Sequence, residues 1–576
     1  MPAPITLPRS PVVRPRPVAP GARPPGPDGR AGRRPRAATR WCVPVAALLL
    51  AIATGACARA QTPGAPAAPP PAGPRATDGA GGPTVRPSRV RLDSVALAAD
   101  LALLRRALTT LHPGLLRYKS PAGLDSAFAA LARDWGREQT VAEAFVALSR
   151  FTAALRCGHT YPNYWNQRRP LRADLLEGPD KLPFTYRLVG GRMLVERSAM
   201  AAGAAAGGER PALGRGDEVV AINGVPATAL IDTLVALVRG DGDNDGKRRS
   251  LAELRGLKRF EAADAFIPLL AAPRPAADGA LRYQVEVRRG GRTVTLALPA
   301  MHAAERNANA LPAADPPLAA AAPWSWRVQG AVGVLRSDGF AGEEARGAWR
   351  TFLRRSFGEA RARGLTAVVV DLRGNEGGAD DDALLLLSHL ARRAIPLPAV
   401  RQVVAYDRVP DAVRPHVDSW DPSFYDRRGR VTPLGDGTFA IAGGAVPRSV
   451  SPAREAFGGR VMLLVGPVAS SASHWLTQAA QAAGVATVVG EPTGGSLRGS
   501  TAAQLFFLRL PNSGLEVDVP LVATHVAGVW PATGVIPQVP IAPSPADFVA
   551  GRDVALARAL AEAAGGGTPG AGTERR

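Results

Sequence analysis

Residues 365–378 read Leu-Thr-Ala-Val-Val-Val-Asp-Leu-Arg-Gly-Asn-Glu-Gly-Gly. A run of β-branched apolar residues with no polar alternation predicts a strand buried on both faces. It empties into a turn holding three Gly, where backbone N–H groups can approach a ligand closely because no Cβ stands in the way. Such a turn suits an oxyanion-hole wall. It would also suit a phosphate cradle, but no Gly-Lys-Ser/Thr follows. Strands and helices alternate around it: AVGVLRSDGF at 331–340, a helix over 343–363, another over 380–392, RVMLLVGP at 460–467, a helix after Ser471, and VATVVGEPTGG at 485–495. This alternation indicates an α/β domain over residues 325–562, with a tail of low structural content over 563–576.

Upstream the period changes. Leu97, Leu101, Leu104, Leu108 and Leu111 recur at 4-3-4-3 spacing, one face of a helix that stops at His112-Pro113-Gly114. Leu124, Phe128, Leu131 and Trp135 repeat the pattern, and Thr140-x-x-Glu143 is a capping box opening a third helix. Residues 91–172 therefore read as a helical domain, with Gly158-His159-Thr160 just past its third helix. From 178 to 300 the period is that of strands: two runs around Gly190-Gly191, a strand ending at the Asn223-Gly224 turn, and a closing hairpin in RYQVEVRRGGRTVTLALP. Residues 236–275 interrupt it with a charged, helical insertion, and a Pro/Ala linker near 303–323 leads into the α/β domain.

The chain has 576 residues and a formal charge of +21, but residues 1–60 hold ten Arg against one Asp, so +9 sits there. The rest is dispersed, with no basic run interleaved with aromatics, and nucleic acid is not expected as a partner. Residues 41–60, WCVPVAALLLAIATGACARA, carry an apolar stretch behind Arg40 that is too short to span a bilayer and fits a signal peptide cleaved after Ala60. Thr54-Gly55-Ala56-Cys57 offers the alternative of a lipid anchor at Cys57. Either way the expectation is export to the periplasm or beyond. Residues 61–90, rich in Pro, Ala and Gly, cannot bury enough surface to fold and are expected to be a tether. Cleavage at Ala60 leaves only Cys157, so no internal disulfide is expected.

The second chemical segment is Leu464-Val465-Gly466-Pro467-Val468-Ala469-Ser470-Ser471-Ala472-Ser473-His474. It places small residues at a strand-to-helix junction, where free N–H groups and the helix dipole favour developing negative charge. Ser470, Ser471 and Ser473 are all candidate nucleophiles, and Ser is also a common helix cap. Candidate bases come from seven histidines. His112 before Pro113 and His389 in an apolar helix read as structural, whereas His159, His474 and His525 remain open. The four lysines are Lys119, Lys181, Lys247 and Lys258. None lies in the α/β domain, so a Ser–Lys dyad built from that domain is excluded, and Arg cannot serve as a base. No His-Glu-x-x-His or Cys-x-x-Cys pattern occurs, and neither metal nor cofactor is expected.

These segments together resemble the tail-specific, or C-terminal processing, serine protease family, closer to its tricorn-like and retinoid-binding-like branch than to its Ser–Lys dyad branch. The resemblance implies an α/β core with a ClpP/crotonase-like spiral, an N-terminal helical domain and a PDZ-like β domain. For that last domain GRGDEVVAINGVP at 214–226 is the matching strand and turn. It implies Ser471 as nucleophile, Ala472 and Gly378 as oxyanion N–H donors, and His159 of Cys-Gly-His-Thr as base. The acid that the branch carries near its C-terminus is missing from Ala532-Thr533-Gly534-Val535-Ile536-Pro537-Gln538. Glu491 is the nearest carboxylate with a family counterpart and is expected to orient the base. The implied substrates are peptides or protein C-termini, cleaved through an acyl-enzyme. The alternative is a catalytically inactive protein binding peptides or apolar ligands on the same scaffold.

Overall fold

Val368, Val369 and Val370 are fully buried, and the two faces of their sheet divide them. Val368 and Val370 join Leu335, Leu463, Val465, Trp349, Leu353, Leu386 and Leu476 in one core. Val369 joins Val334, Met462, Leu464, Val489, Ala555 and Ala559 in a second core on the other face. The unbroken apolar run is therefore the signature of a sheet covered on both sides. Its strands lie in the order Trp324–Gln329, Val332–Ser337, Ala367–Asp371, Arg460–Val465, Thr487–Gly490 and Val539–Pro540; the first pair is antiparallel and the rest are parallel. Helices Glu343–Ala362, Asp380–Leu390, Ala472–Ala482 and Val554–Ala564 cover it.

This computed structural model describes residues 86–199, 213–310, 323–441 and 448–565. The signal segment expected over 1–60, with Cys57, lies outside them. Among the described residues no helix is long and apolar enough to cross a membrane.

The three amphipathic stretches form helices Ser94–Leu111, Pro121–Asp134 and Val141–Ala154. Each has a side-chain N-cap, from Asp93, Ser120 and Thr140, and the Thr140–Glu143 capping box is complete. The β region is a seven-stranded antiparallel sheet built on Phe184–Val189, Arg192–Ser198, Glu218–Ile222 and Leu281–Arg289. Asn223 and Gly224 both take positive φ, 51° and 82°, as a tight Asn-Gly hairpin turn requires. The insertion is helical, with Asp245–Ala252 and Ala262–Leu270.

Four features depart from the sequence reading. The tether expected over 61–90 gives way to fold at Arg86, because Ser88 is buried with its N–H on Asp174 and Arg91–Leu92 pairs with Gln139–Thr140. The Pro/Ala linker opens with a helix, Ala303–Ala310, docked by a buried bidentate pair between Arg306 and Asp264. The last helix runs to Ala564, past the expected end of the α/β domain at 562. Finally, a six-stranded antiparallel sheet dominated by Val400–Val404, Thr501–Arg509 and Glu516–Val526 accompanies the parallel one. Its Phe506, Leu508, Val517, Val519 and Leu521 share one apolar core with the N-terminal helices and the β region. Polar ties reinforce that packing: Asp100 accepts from Asn512 and Ser513, Asp518 from Asn163 and Asn166, and Arg117 donates to the Arg498, Ser500 and Thr524 carbonyls.

Candidate active site

Two turns at the ends of adjacent parallel strands meet. One follows Ala367–Asp371 and carries Asn375 to Gly378; the other follows Arg460–Val465 and carries Gly466 to Ser471. Asn375 is fully buried and organises both. Its Oδ1 accepts from Gly377 N–H at 2.8 Å, its Nδ2 donates to Ser337 Oγ, and its carbonyl accepts from Ser470 N–H at 3.4 Å.

Ser471 precedes helix Ala472–Ala482 with φ 50° and ψ −128°, and its side chain makes no capping bond. A non-glycine residue in this region carries strain of order 1–3 kcal/mol, which persists only where the surroundings over-determine it and which concentrates at functional sites. Ser471 is thus held as a displayed side chain at a helix N-terminus, not as a cap.

The two N–H groups expected to face an oxyanion are placed differently from their neighbours. Phe340 pairs with the segment through the Gly377 carbonyl and the Ala379 N–H, which puts the Gly378 N–H on the opposite side. Neither Gly378 N–H nor Ala472 N–H has an acceptor among the described residues, whereas Gly377 N–H is taken by Asn375. Gly378 (φ 126°) also lies where a Cβ would stand 2.0 Å from the Phe340 carbonyl oxygen.

His159 sits in the loop after the third helix. The neighbouring Thr160 Oγ1 is hydrogen-bonded to buried His112 Nε2 at 3.0 Å, and Gly158 N–H donates to Asp241 Oδ1 at 2.9 Å. Burial lowers the His159 pKa below the usual imidazole value, Asp241 opposes that, and Arg239 and Lys247 reinforce it. The ring is therefore neutral at neutral pH and fit to accept a proton. Its Nδ1 is buried without a hydrogen-bond partner, and no hydrogen bond joins it to Ser471 among the described residues.

The remaining candidates separate. His474, one turn along the helix, is buried, bonds Thr493 Oγ1 through Nδ1 at 2.8 Å and stacks over Gly495, and burial depresses it to about 4. His525 lies on Glu516–Val526 of the antiparallel sheet, where burial lowers it to about 4, Arg117 and Arg401 add to the lowering and Asp436 opposes it. His389 packs on Phe357 and bonds the Leu385 carbonyl, as its apolar helix implied. Glu491 is not brought to His159: burial raises its pKa, and the charges acting on it are those of Glu253 and Arg187. The carboxylate acting most strongly on His159 is Asp241, from the insertion. Nothing in the spacing of Asp241 marks it.

A second residue of the insertion escaped the sequence reading. Lys247, 3% exposed, reaches in beside the nucleophile turn. Its Nζ donates to Glu376 Oε1 at 3.0 Å, to the Val468 carbonyl at 3.1 Å and to Ser470 Oγ at 3.2 Å. A lysine therefore does enter the site, from outside the α/β domain.

Residues 331–541, spanning both turns and the second sheet, match the profile of peptidase family S41. The chain carries a family S41 peptidase domain. It is a serine-type peptidase, and Ser471 lies inside the matched region. No curated protein sequence matches the chain. Among solved structures, mature CPAF complexed with lactacystin aligns at 15% identity over 79% of this chain and 95% of its own, with a TM-score of 0.52. A CPAF mutant aligns at 15% identity over 79% and 94%, with a TM-score of 0.53. At such identity the likeness is one of fold. The photosystem II D1 C-terminal processing protease aligns at 16% identity over 78% and 93%, with a TM-score of 0.36.

Proposed function

We propose that this S41 peptidase is exported and hydrolyses peptides or protein C-termini through an acyl-enzyme on Ser471. The observation that carries the reading is the strained Ser471 at the head of its helix, flanked by two N–H groups with no acceptor among the described residues. Ser471 Oγ attacks the scissile carbonyl as His159 takes its proton. The Gly378 and Ala472 N–H groups receive the charge on the carbonyl oxygen, and His159 returns the proton to the leaving amine. Water then repeats the sequence to free the enzyme. Asp241 replaces Glu491 as the carboxylate that favours the imidazolium formed in between. In this reading the parallel sheet belongs to a ClpP/crotonase-like spiral, and the PDZ-like region of residues 178–300 tethers substrate.

A fluorophosphonate probe tests this directly, because only an activated Ser reacts. Wild type should be labelled on Ser471 and Ser471→Ala should not. A folded, unlabelled wild type without peptidase activity would favour a binding protein on the same scaffold. Export is tested by sequencing the N-terminus of the secreted protein, where an intact Met1 would refute cleavage.

A further inference from the structure

The oxyanion donors come from two separate segments of chain, and besides Asn375 a second residue bridges them. We propose that Lys247 is the positioning residue that does so: its ammonium ties the turn bearing Gly378 to the turn bearing Ser471 and thereby sets the oxyanion hole. This rests on the peptidase reading above and adds to it a residue supplied by another region of the chain.

An ammonium has three donors, and all three of Lys247 are used. One goes to Glu376, immediately before Gly377-Gly378; the other two go to Val468 and Ser470, three and one positions before Ser471. Ser470 Oγ in turn donates to the Glu376 carbonyl at 3.2 Å, closing a ring across the two turns. The lysine stem runs over Gly494, where a Cβ would stand 2.9 Å from Lys247 Cδ. Its helix is docked at the N-terminus. Asn244 Oδ1 caps the Lys247 N–H, while Asn244 Nδ2 donates to the Thr493 and Gly495 carbonyls at 2.7 and 2.9 Å. Three turns of the α/β domain are thus gathered on one segment of the insertion.

The alternative, a Lys247 amine acting as base on Ser470, conflicts with the bonding. A base must be neutral, yet this nitrogen donates to a carboxylate held ionised. Burial opposes the charge on Glu376, but Lys247, Lys258 and Arg239 outweigh it and keep its carboxyl well below the usual range. The charged groups facing Lys247 are Glu376 from the Gly-rich turn, Arg239 just past helix Ala227–Leu237 and Lys258 from the loop before Ala262–Leu270; His159 of the N-terminal region also feels it. Burial brings Lys247 down to about 8, Glu376 resists, and Arg239 and Lys258 add to the lowering. It stays an ammonium at neutral pH.

Positioning and base roles predict opposite alkaline behaviour. If the ammonium holds the hole, wild-type kcat falls as pH rises through about 8. In Lys247→Arg, whose guanidinium stays charged, activity at neutral pH is partly kept and that limb disappears. Lys247→Met should lower kcat on a small ester about 10²-fold, the scale of losing one oxyanion donor, with KM changed only a few-fold. Activity that climbs through pH 8 in wild type, with an inactive Lys247→Arg, would overturn the proposal in favour of a base. A folded Lys247→Met with normal kcat would overturn it in favour of a purely structural contact. If Lys247→Met fails to fold by circular dichroism, the wild-type and Lys247→Arg profiles decide alone. A wild type that fluorophosphonate does not label would overturn the peptidase reading itself, whereas labelled wild type with an unaltered Lys247→Met profile removes only Lys247.

Discussion

Gly377 lies directly against Ser471: a Cβ on Gly377 would stand 2.6 Å from Ser471 Cβ and 3.0 Å from Ala472 N. Its φ of 108° is one that side chains rarely adopt. Gly377→Ala therefore strains its own backbone and pushes the nucleophile and one oxyanion donor together. Turnover is expected to fall about 10²-fold or more while the fold survives, measured as kcat and as the rate of fluorophosphonate labelling. Labelling of Gly377→Ala at the wild-type rate would show that this contact does not set the nucleophile.

Ser470 and Ser471 are neighbours with different surroundings, and substitution separates them. Ser471→Ala should lose acyl transfer by about 10⁴-fold or more and lose the covalent label. Ser470→Ala removes one acceptor of Lys247 but leaves the displayed hydroxyl, so label should still form on Ser471, more slowly. Peptide mapping of the labelled protein assigns the site, and a label on Ser470 would reverse the assignment.

The pH profile reports the base. His159 must be neutral to accept the proton, so activity falls as pH drops through its pKa, and burial places that pKa below the ordinary value near 6.5. The acid limb of kcat/KM should therefore lie below pH 6.5. His159→Gln should reduce turnover by about 10⁴. Asp241→Asn, which removes the charge that raises the His159 pKa, should move the limb further down. His474→Gln, if it folds, should leave the limb in place, since that ring is packed on Thr493 and Gly495; loss of the limb there instead would put the base on the nucleophile's own helix.

Arg306 and Asp264 form an ion pair with side-chain exposures of 0% and 1%. Removing one partner leaves a buried charge without compensation, which costs about 3–5 kcal/mol, whereas replacing both by apolar groups can be nearly neutral. Arg306→Met should lower the midpoint of chemical denaturation sharply, and Arg306→Met with Asp264→Leu should recover much of it. An unchanged midpoint in the single variant would show that the short helix Ala303–Ala310 does not depend on this pair.

The regular elements were legible wherever neighbouring residues repeat a pattern. The leucine spacing of 97–111, the Thr140–Glu143 box, the Asn223-Gly224 turn and the valine run at 368–370 each encode their geometry within a few residues. The Ser471 turn belongs with them, because a strand ending in small residues before a helix is a local feature. The antiparallel sheet was less legible. Its strands fall on both sides of the nucleophile region in sequence: Val400–Val404 pairs with Phe439–Ile441 on one edge, but on the other with Ala523–Val526, more than a hundred residues away.

What the sequence determined by itself is therefore the order of elements, the two turns and the chemistry of the residues on them. Tertiary structure decided which charged groups meet there. Lys247 and Glu376 are 129 positions apart, and no periodicity links them. They pair because the insertion docks on the parallel sheet's turns, burying Lys247 and half-burying Glu376, so that each becomes the other's principal compensation. The same docking puts Asp241 beside His159 and leaves Glu491 facing Arg187 and Glu253. A charge in a low-dielectric site is governed by what lies within a few ångströms of it, and those neighbours are assigned by packing rather than by position along the chain.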